Sequence, residues 1–352
     1  MLTRLEATGR ASREELTLLL GATGADAAAL YVAADRVRAA AVGDEVHLRA
    51  LLEFSNHCRR NCLYCGVRRE RRDLSRYRMR PEEILRTAHA AAALGYRTVV
   101  LQSGEDATYT AAGLASLIRQ IKRECDAAVT LSIGERTEEE YRLLREAGAD
   151  RYLLRIETSS PALYRDLHPD SDWHERRERL RVLRRLGYQV GSGVLIGAPG
   201  QTVEMLADDL LFLQEFELDM IGVGPFIPHP STPLGGALPG ALDIALGFVA
   251  LLRLLCPQAL IPATTALGAL HPEGRERALR AGADVLMVNV TPYRFGRRYD
   301  LYPGKTSIGD GAAGCRRAAE ELVARLGRRA ASGYGDSRLP GAHPRVCQGA
   351  PA

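Results

Sequence analysis

The sequence predicts a (β/α)8 TIM-type barrel with an N-terminal helical extension. Three observations predict it: short apolar runs alternate eight times with amphipathic segments, glycines follow several of those segments, and no G-x-G-x-x-G motif follows the first run. An open, doubly wound sheet is the alternative, because alternation alone does not separate the two folds. The missing nucleotide-binding motif favours the barrel.

The expected elements follow from the hydrophobic periodicity. The strands are expected at 47–55, 98–102, 128–133, 152–156, 189–196, 220–225, 260–265 and 285–290. The helices between them are expected at 81–95, 110–124, 137–148, 174–187, 202–216, 241–256, 272–281 and 313–327. Two more helices, over 12–20 and 26–41, precede them. Gly95, Gly148, Gly187 and Gly282 are placed as C-terminal caps, and Thr137 with Glu140 matches a capping box.

These elements divide the chain into three parts. We expect a helical extension over 1–45, the barrel over 46–327 and an extended C-terminal tail over 328–352, where the sequence becomes rich in Gly, Pro and Ser. Barrels often use about 250 residues as one unit, so the 352 residues need no second large domain.

Composition excludes several classes of protein. The chain is 46% hydrophobic and 26% charged, which is typical of a folded globular protein. Its 45 arginines and two lysines indicate a coding bias, and a net charge of +4 without a long basic run does not suggest a nucleic-acid partner. No apolar stretch reaches the length of a membrane span and no signal peptide is evident, so we expect a cytoplasmic protein.

The seven cysteines are unevenly placed. Cys58, Cys62 and Cys65 lie within eight positions just after the first expected strand, and Cys125, Cys256, Cys315 and Cys347 are scattered. An odd, clustered set indicates metal or redox chemistry in a reducing compartment rather than a disulfide framework. Three thiolates at C-x3-C-x2-C spacing fit a 4Fe-4S cluster with one iron left open. A zinc loop completed by His57 is the alternative.

The cysteine motif, with the aromatic Tyr64 before its last cysteine, resembles the signature of the radical S-adenosylmethionine (radical SAM) superfamily. The resemblance implies that the open iron binds S-adenosylmethionine (SAM), which the reduced cluster cleaves to a 5′-deoxyadenosyl radical. It also implies that Tyr64 packs near the adenine. Four more residues would hold the cofactor by resemblance, and they are Ser103, Glu105, Glu157 and Arg176.

Strand ends supply the candidate substrate pocket, because the carboxyl ends of barrel strands surround the active site. Arg155 and Glu157 are two apart and are expected to project to the same side of the fourth strand; a structural ion pair is the alternative. The candidate substrate-binding or catalytic residues are Arg155, Thr264, Thr265, Tyr299 and Tyr302.

Within the superfamily, the match extends from about Leu51 to Gly327 and includes the segments 53–56, 62–66, 102–106, 167–169, 222–233, 261–266 and 301–305. Together they resemble the maturase family that helps to build the di-iron site of FeFe-hydrogenase. This implies a small-molecule or organometallic iron–cysteine substrate, an external electron donor and partner maturases. The family is similar to biotin synthase and to methylornithine synthase.

Two departures from the motifs of these families narrow the predicted function. Some members of the maturase family carry a second cluster on C-x7-C-x2-C, where this chain has Ser307, Cys315 and Ala318, so we expect one cluster. Biotin synthase needs further cysteine ligands, whereas Cys125 and Cys256 are expected on helices. A methylornithine synthase-like enzyme stays open as an alternative. A non-catalytic iron–sulfur or zinc scaffold is the alternative from another class.

Overall fold

The strands form the predicted barrel in a computed structural model that describes residues 1–305 and 311–345. Neighbouring strands run parallel in the order β6-β5-β4-β3-β2-β1-β8-β7, and a bridge between Met220 and Leu260 joins β6 to the segment that leads into β7. The strands are β1 (Glu45–Ser55), β2 (Thr98–Ser103), β3 (Ala128–Ser132), β4 (Arg151–Leu153), β5 (Gln189–Ile196), β6 (Met220–Pro225), β7 (Pro262–Ala263), β8 (Val285–Asn289) and β9 (Arg329–Ala330).

Helices cover the outside of the barrel, and three of them precede its first strand. They are α1 (Leu2–Thr8), α2 (Arg13–Leu20), α3 (Gly24–Val42), α4 (Pro81–Ala93), α5 (Ala111–Glu124), α6 (Glu138–Glu146), α7 (Pro161–Leu167), α8 (Trp173–Arg185), α9 (Val203–Glu215), α10 (Leu242–Leu255), α11 (Thr265–Leu270), α12 (Gly274–Arg280), α13 (Tyr293–Gly296) and α14 (Gly311–Arg325). The predicted glycine caps and the Thr137–Glu140 capping box are present.

The N-terminal helices pack on the barrel's outer layer. α2 lies against α9 and α3 lies against α10. Among the described residues, no single helix is long and apolar enough to cross a membrane; α2 and α3 pass that test only as a pair, bent by 116° at their junction.

The barrel interior is layered along its axis. Apolar side chains form a floor across the middle of the barrel, and they come from Leu51, Val100, Leu153, Met220, Pro262 and Met287. Below this floor, near the N-terminal ends of the strands, Arg49 donates to the carbonyl of Gly335, and Arg151 donates to the Tyr334 carbonyl and the Asp336 carboxylate. The segment after β9 therefore closes the N-terminal end of the barrel, which leaves the C-terminal end for the site.

Several sequence-based predictions were wrong in detail. The fourth strand ends at Leu153 rather than Ile156, and the seventh is only two residues long because α11 begins at Thr265. The short helices α1, α7, α11 and α13 were not predicted. Cys125 and Cys256 are the residues after α5 and α10 rather than helical residues. The division of the chain into a helical extension, a barrel and a tail, with boundaries after residues 45 and 327, stays a prediction.

Arg253 of α10 joins three elements from a fully buried position. Its guanidinium donates to the carbonyls of Pro257, Ala259 and Gly282 and pairs with the Asp284 carboxylate at 3.0 Å. The first two carbonyls precede β7, while Gly282 and Asp284 precede β8. This single side chain therefore aligns the starts of both strands.

We predict that Arg253→Met lowers the free energy of unfolding by about 3–5 kcal/mol, because it leaves Asp284 buried without its cation. Chemical denaturation of both proteins measures the change. Arg277→Met is the matched control, since Arg277 pairs with Asp243 on the surface and its loss is expected to cost less than about 1 kcal/mol. Equal effects of the two substitutions would show that the buried pair does not organise the barrel.

Candidate iron–sulfur and S-adenosylmethionine site

The loop after β1 carries Cys58, Cys62 and Cys65 across the C-terminal mouth of the barrel. The Sγ of Cys58 accepts the backbone N–H groups of Arg60 and Glu105, each at 3.4 Å. Burial raises the pKa of Cys65 to about 12, and the neighbouring thiol of Cys58 adds to that rise. Burial likewise raises the pKa of Cys62 well above its usual value. The three thiols therefore need a cationic centre if they are to ionise together.

The donor set fits a 4Fe-4S cluster. No group of three or more His, Cys, Asp or Glu in the described ranges converges on a single-ion site. A four-iron cluster does not require such convergence, because each cysteine binds a different iron. Three thiols on one loop would hold three irons of such a cluster and leave the fourth without a cysteine, and Cys58, Cys62 and Cys65 all line one chamber.

A network of buried charges connects this loop to the rest of the mouth. The Glu105 carboxylate lies 2.9 Å from Arg59 and 2.8 Å from Arg60, and it accepts the backbone N–H of Glu135 at 3.1 Å. Arg176 pairs with Glu135 at 2.5 Å and lies 3.9 Å from Glu105. Arg176, near the start of α8, therefore has two carboxylates as neighbours.

Glu135 is a site residue that the sequence analysis missed. It follows β3 as Glu105 follows β2, and its position just beyond a strand end was the available signal. Gly134 makes the arrangement possible: it has a φ of 75°, and a Cβ there would lie 2.0 Å from Cγ of Glu105. Only glycine allows this approach without moving the carboxylate.

Arg155 and Glu157 meet in a way that strand geometry did not predict. β4 ends before them, and Glu157 has a φ of 65°, which is unusual for a residue other than glycine. Nη2 of Arg155 lies 2.8 Å from Oε2 of Glu157 and donates to the Val194 carbonyl at 2.6 Å. The expectation that both side chains project to the same side of the fourth strand was therefore wrong, because neither residue lies on that strand; they form an ion pair, and both reach the chamber.

Two polar atoms of this pair have no hydrogen bond. Within the part of the chain that the structure describes, Nε of Arg155 makes none, and Oε2 of Glu157 accepts none although it is ion-paired with Nη2 of Arg155 at 2.8 Å. Buried polar atoms of native proteins usually have partners, so these two are suited to a bound molecule. A methionine ammonium would satisfy the carboxylate oxygen, and an anionic substrate group would satisfy the guanidinium.

A chamber of about 350 Å³ extends from the cysteine loop to the apolar floor. All thirteen predicted site residues line it: the three cysteines, Tyr64, Ser103, Glu105, Arg155, Glu157, Arg176, Thr264, Thr265, Tyr299 and Tyr302. Ser103 donates to the Gly104 carbonyl at 2.7 Å, beside the cysteine loop. The structure therefore brings the predicted residues together around one space.

The far side of the chamber is polar. Thr264 donates to the Val223 carbonyl at 2.8 Å, and the hydroxyls of Thr265 and Tyr302 are 2.6 Å apart. Lys305 pairs with Glu53 at 2.5 Å and stands 4.5 Å from the centre of the Tyr299 ring. Burial raises the pKa of Glu53 and lowers that of Lys305. The sequence analysis did not identify Glu53 and Lys305 as site residues.

The second-cluster prediction lies partly outside the described residues, because Ser307 falls there. Cys315 lies on α14, three residues before Ala318. The expectation of a single cluster stays a prediction.

Comparison with known proteins identifies the family. Residues 52–213 match the model of the radical SAM superfamily. The FeFe-hydrogenase maturase subunit HydE of Thermotoga maritima is 49% identical over 307 residues, which cover 87% of this chain and 88% of that protein. The 3-methylornithine synthase of Methanosarcina acetivorans is 29% identical over 73% of each chain.

Fold comparison agrees with these matches. The crystal structure of methylornithine synthase (PylB) superimposes with a TM-score of 0.84 and 26% identity, covering 94% of this chain and 97% of that one. Radical SAM enzymes use a 4Fe-4S cluster and SAM, which excludes the non-catalytic scaffold as the class of this protein. The chain belongs to the radical SAM superfamily and, within it, to the HydE family of FeFe-hydrogenase maturases.

Proposed function

We propose that this enzyme acts in maturation of the FeFe-hydrogenase di-iron site, on a sulfur of a cysteine-bound iron carbonyl–cyanide precursor. The observation that carries the proposal is the single chamber, with the cysteine loop at one end and a polar pocket at the other. The 49% identity to a HydE maturase supports the assignment.

The chain's own residues divide into three roles. Cys58, Cys62 and Cys65 hold the cluster, and Tyr64, Ser103, Glu105, Glu157 and Arg176 surround SAM. When bound, the cluster supplies the electron that cleaves SAM to the 5′-deoxyadenosyl radical. Glu157 is the proposed acceptor for the methionine ammonium, because its Oε2, which is ion-paired with Arg155, accepts no hydrogen bond in the described chain.

The substrate pocket is proposed to recognise the polar groups of an amino-acid-like ligand. The guanidinium of Arg155 provides a fixed positive charge for a carboxylate or cyanide-bearing group. Thr265 and Tyr302 provide hydroxyls beside it, Thr264 and Tyr299 complete the wall, and the apolar floor limits the space below. Burying the ligand among these groups excludes water from the radical step.

A methylornithine synthase-like reaction is the second candidate, and the fold match to that enzyme favours it. Both reactions need an amino-acid-like ligand beside the adenosyl group. They are separated by assaying in parallel for 3-methylornithine among the products and for conversion of the cysteine-bound iron complex. Conversion of the iron complex without 3-methylornithine is expected; formation of 3-methylornithine alone would overturn the maturase assignment.

We further propose an external one-electron donor and partner maturases, since the chain needs a supplied electron and its product is not the finished di-iron site.

We place the protein in the cytoplasm, because the thiols of Cys58, Cys62 and Cys65 form no disulfides and metal-binding thiols require a reducing compartment.

We predict that Cys62→Ala abolishes both the 4Fe-4S absorbance and 5′-deoxyadenosine production after anaerobic reconstitution with dithionite and SAM. Removing one of three thiolates leaves the cluster without a complete set of ligands. Cys125→Ala is the matched control, because Cys125 is a buried thiol that does not line the chamber. Persistent SAM cleavage by Cys62→Ala would refute the cluster assignment.

We predict about four irons per chain after reconstitution and removal of unbound iron, because Cys315 is the one thiol at the three positions of the second motif. Iron and sulfide analysis measures this. Seven or eight irons per chain would show that other ligands complete a second cluster.

We predict that Arg155→Met weakens binding of the anionic substrate by at least tenfold, because a charged hydrogen bond contributes about 1.5–3 kcal/mol. The affinity is measured by titrating the iron complex into the reconstituted protein. Arg145→Met is the control, since Arg145 lies against Tyr188 outside the chamber. Unchanged affinity in Arg155→Met would remove Arg155 from the substrate pocket.

A further inference from the structure

A short segment that begins at the last residue of α7 contacts the cysteine loop at several points. We name this segment, Leu167–Asp170, the clamp segment. Two of its four contacts fall between Cys58 and Cys62, and two fall between Cys62 and Cys65. In the first gap, Arg60 donates to the Asp170 carbonyl and the Asn61 N–H donates to Oδ1 of Asp170 (3.1 Å). In the second, the Leu63 N–H donates to the Leu167 carbonyl (2.9 Å) and the Tyr64 hydroxyl lies 3.0 Å from Nε2 of His168.

The proton positions on His168 follow from its neighbours. Its Nδ1 lies 3.0 Å from the carbonyl oxygen of Tyr164, and a carbonyl only accepts, so Nδ1 carries the ring proton. Nε2 is then a lone-pair acceptor, and the Tyr64 hydroxyl must donate to it. Burial lowers the pKa of His168 to about 3, which keeps the ring neutral and this arrangement intact.

His168 is itself held firmly. It is 2% exposed, and its ring stacks on that of Tyr164 with centroids 4.2 Å apart and planes inclined by 24°. A side chain with both nitrogens engaged and one face stacked has little freedom to rotate. The acceptor that it offers to Tyr64 is therefore fixed in space.

Tyr64 is held at both ends. Its ring packs against the apolar cluster that contains Leu195 and Phe226, and its hydroxyl is bound to His168. Tyr64 also lines the chamber between Cys62 and Cys65. With its hydroxyl engaged, it presents its ring, rather than a free hydroxyl, to whatever occupies that part of the chamber.

We propose that the clamp segment positions the cysteine loop, and that His168 is the positioning residue that holds Tyr64 in place for SAM. His168 acts through Tyr64 and is not itself catalytic. The inference rests on the proposed place of Tyr64 beside SAM but not on the identity of the substrate, so binding measurements without any hydrogenase precursor test it separately.

The test is a double-mutant cycle with Tyr64→Phe, His168→Phe and the pair together, each reconstituted anaerobically. Equilibrium dialysis with labelled SAM gives the dissociation constant, and the electron paramagnetic resonance spectrum of the reduced cluster reports the change on SAM binding. Each single substitution is expected to weaken SAM binding about tenfold, and the double no more than the worse single, because both remove the same hydrogen bond.

His168→Gln separates positioning from packing. A glutamine keeps an acceptor near the position of Nε2 but loses the stacked ring, so affinity is expected to return to within about threefold of the unmodified protein. Tyr188→Phe is the control, since it removes a buried hydroxyl that donates to the Tyr141 carbonyl at 2.7 Å, away from the loop. Multiplying effects in the double variant, or unchanged affinity in His168→Phe, would overturn the proposal.

Asp170 tests the other end of the clamp segment. Asp170→Ala removes the acceptor for the Asn61 N–H and is expected to speed iron loss to a chelator severalfold, whereas Asp170→Asn keeps that acceptor and is expected to retain iron. Equal loss from both variants would assign the effect to the charge facing Arg69 at 3.6 Å, and would contradict the backbone contact as the cause.

Discussion

Four charged side chains at the barrel mouth hold the site together. Arg60, Glu105, Glu135 and Arg176 come from the loops after β1, β2 and β3 and from α8, and the two carboxylates and Arg176 are at most 10% exposed. Burying such charges costs free energy of desolvation unless each is paired with an opposite charge. Removing one side chain therefore leaves the charge of its partner buried and uncompensated. The network therefore allows one arrangement of the three loops, and the cysteine loop has its position only within that arrangement.

The chamber has room beside β6 because two of the β6 residues that line it are glycines, Gly222 and Gly224. A Cβ on Gly224 would lie 2.9 Å from Nη1 of Arg155. Opposite them, Glu53 and Lys305 place a buried ion pair against the cavity. The glycines on one wall leave room for a ligand, and the charges on the other wall can orient it. The apolar floor separates the ligand from the polar residues that close the other end of the barrel.

Much of the architecture was predictable because barrels repeat a simple pattern. Periodicity located the strands and most helices, and the cysteine spacing with Tyr64 predicted where the cofactor would bind. Four short helices were missed, since helices such as α7 and α11 are too short to show a hydrophobic period. Glu135 was missed because its position just after a strand was its one local signal, and its importance comes from Arg60 and Arg176, which are distant in the chain.

The sequence by itself determined the fold class and predicted the three cysteines that would hold the cluster, because hydrophobic alternation and cysteine spacing are local properties. Only the tertiary structure decided which charges pair. Arg155 and Glu157 meet through a residue with positive φ rather than through strand alternation, Arg176 faces Glu135, and His168 reaches Tyr64 across about a hundred residues of sequence. Those pairings depend on how the loops close over the barrel, which no local pattern specifies.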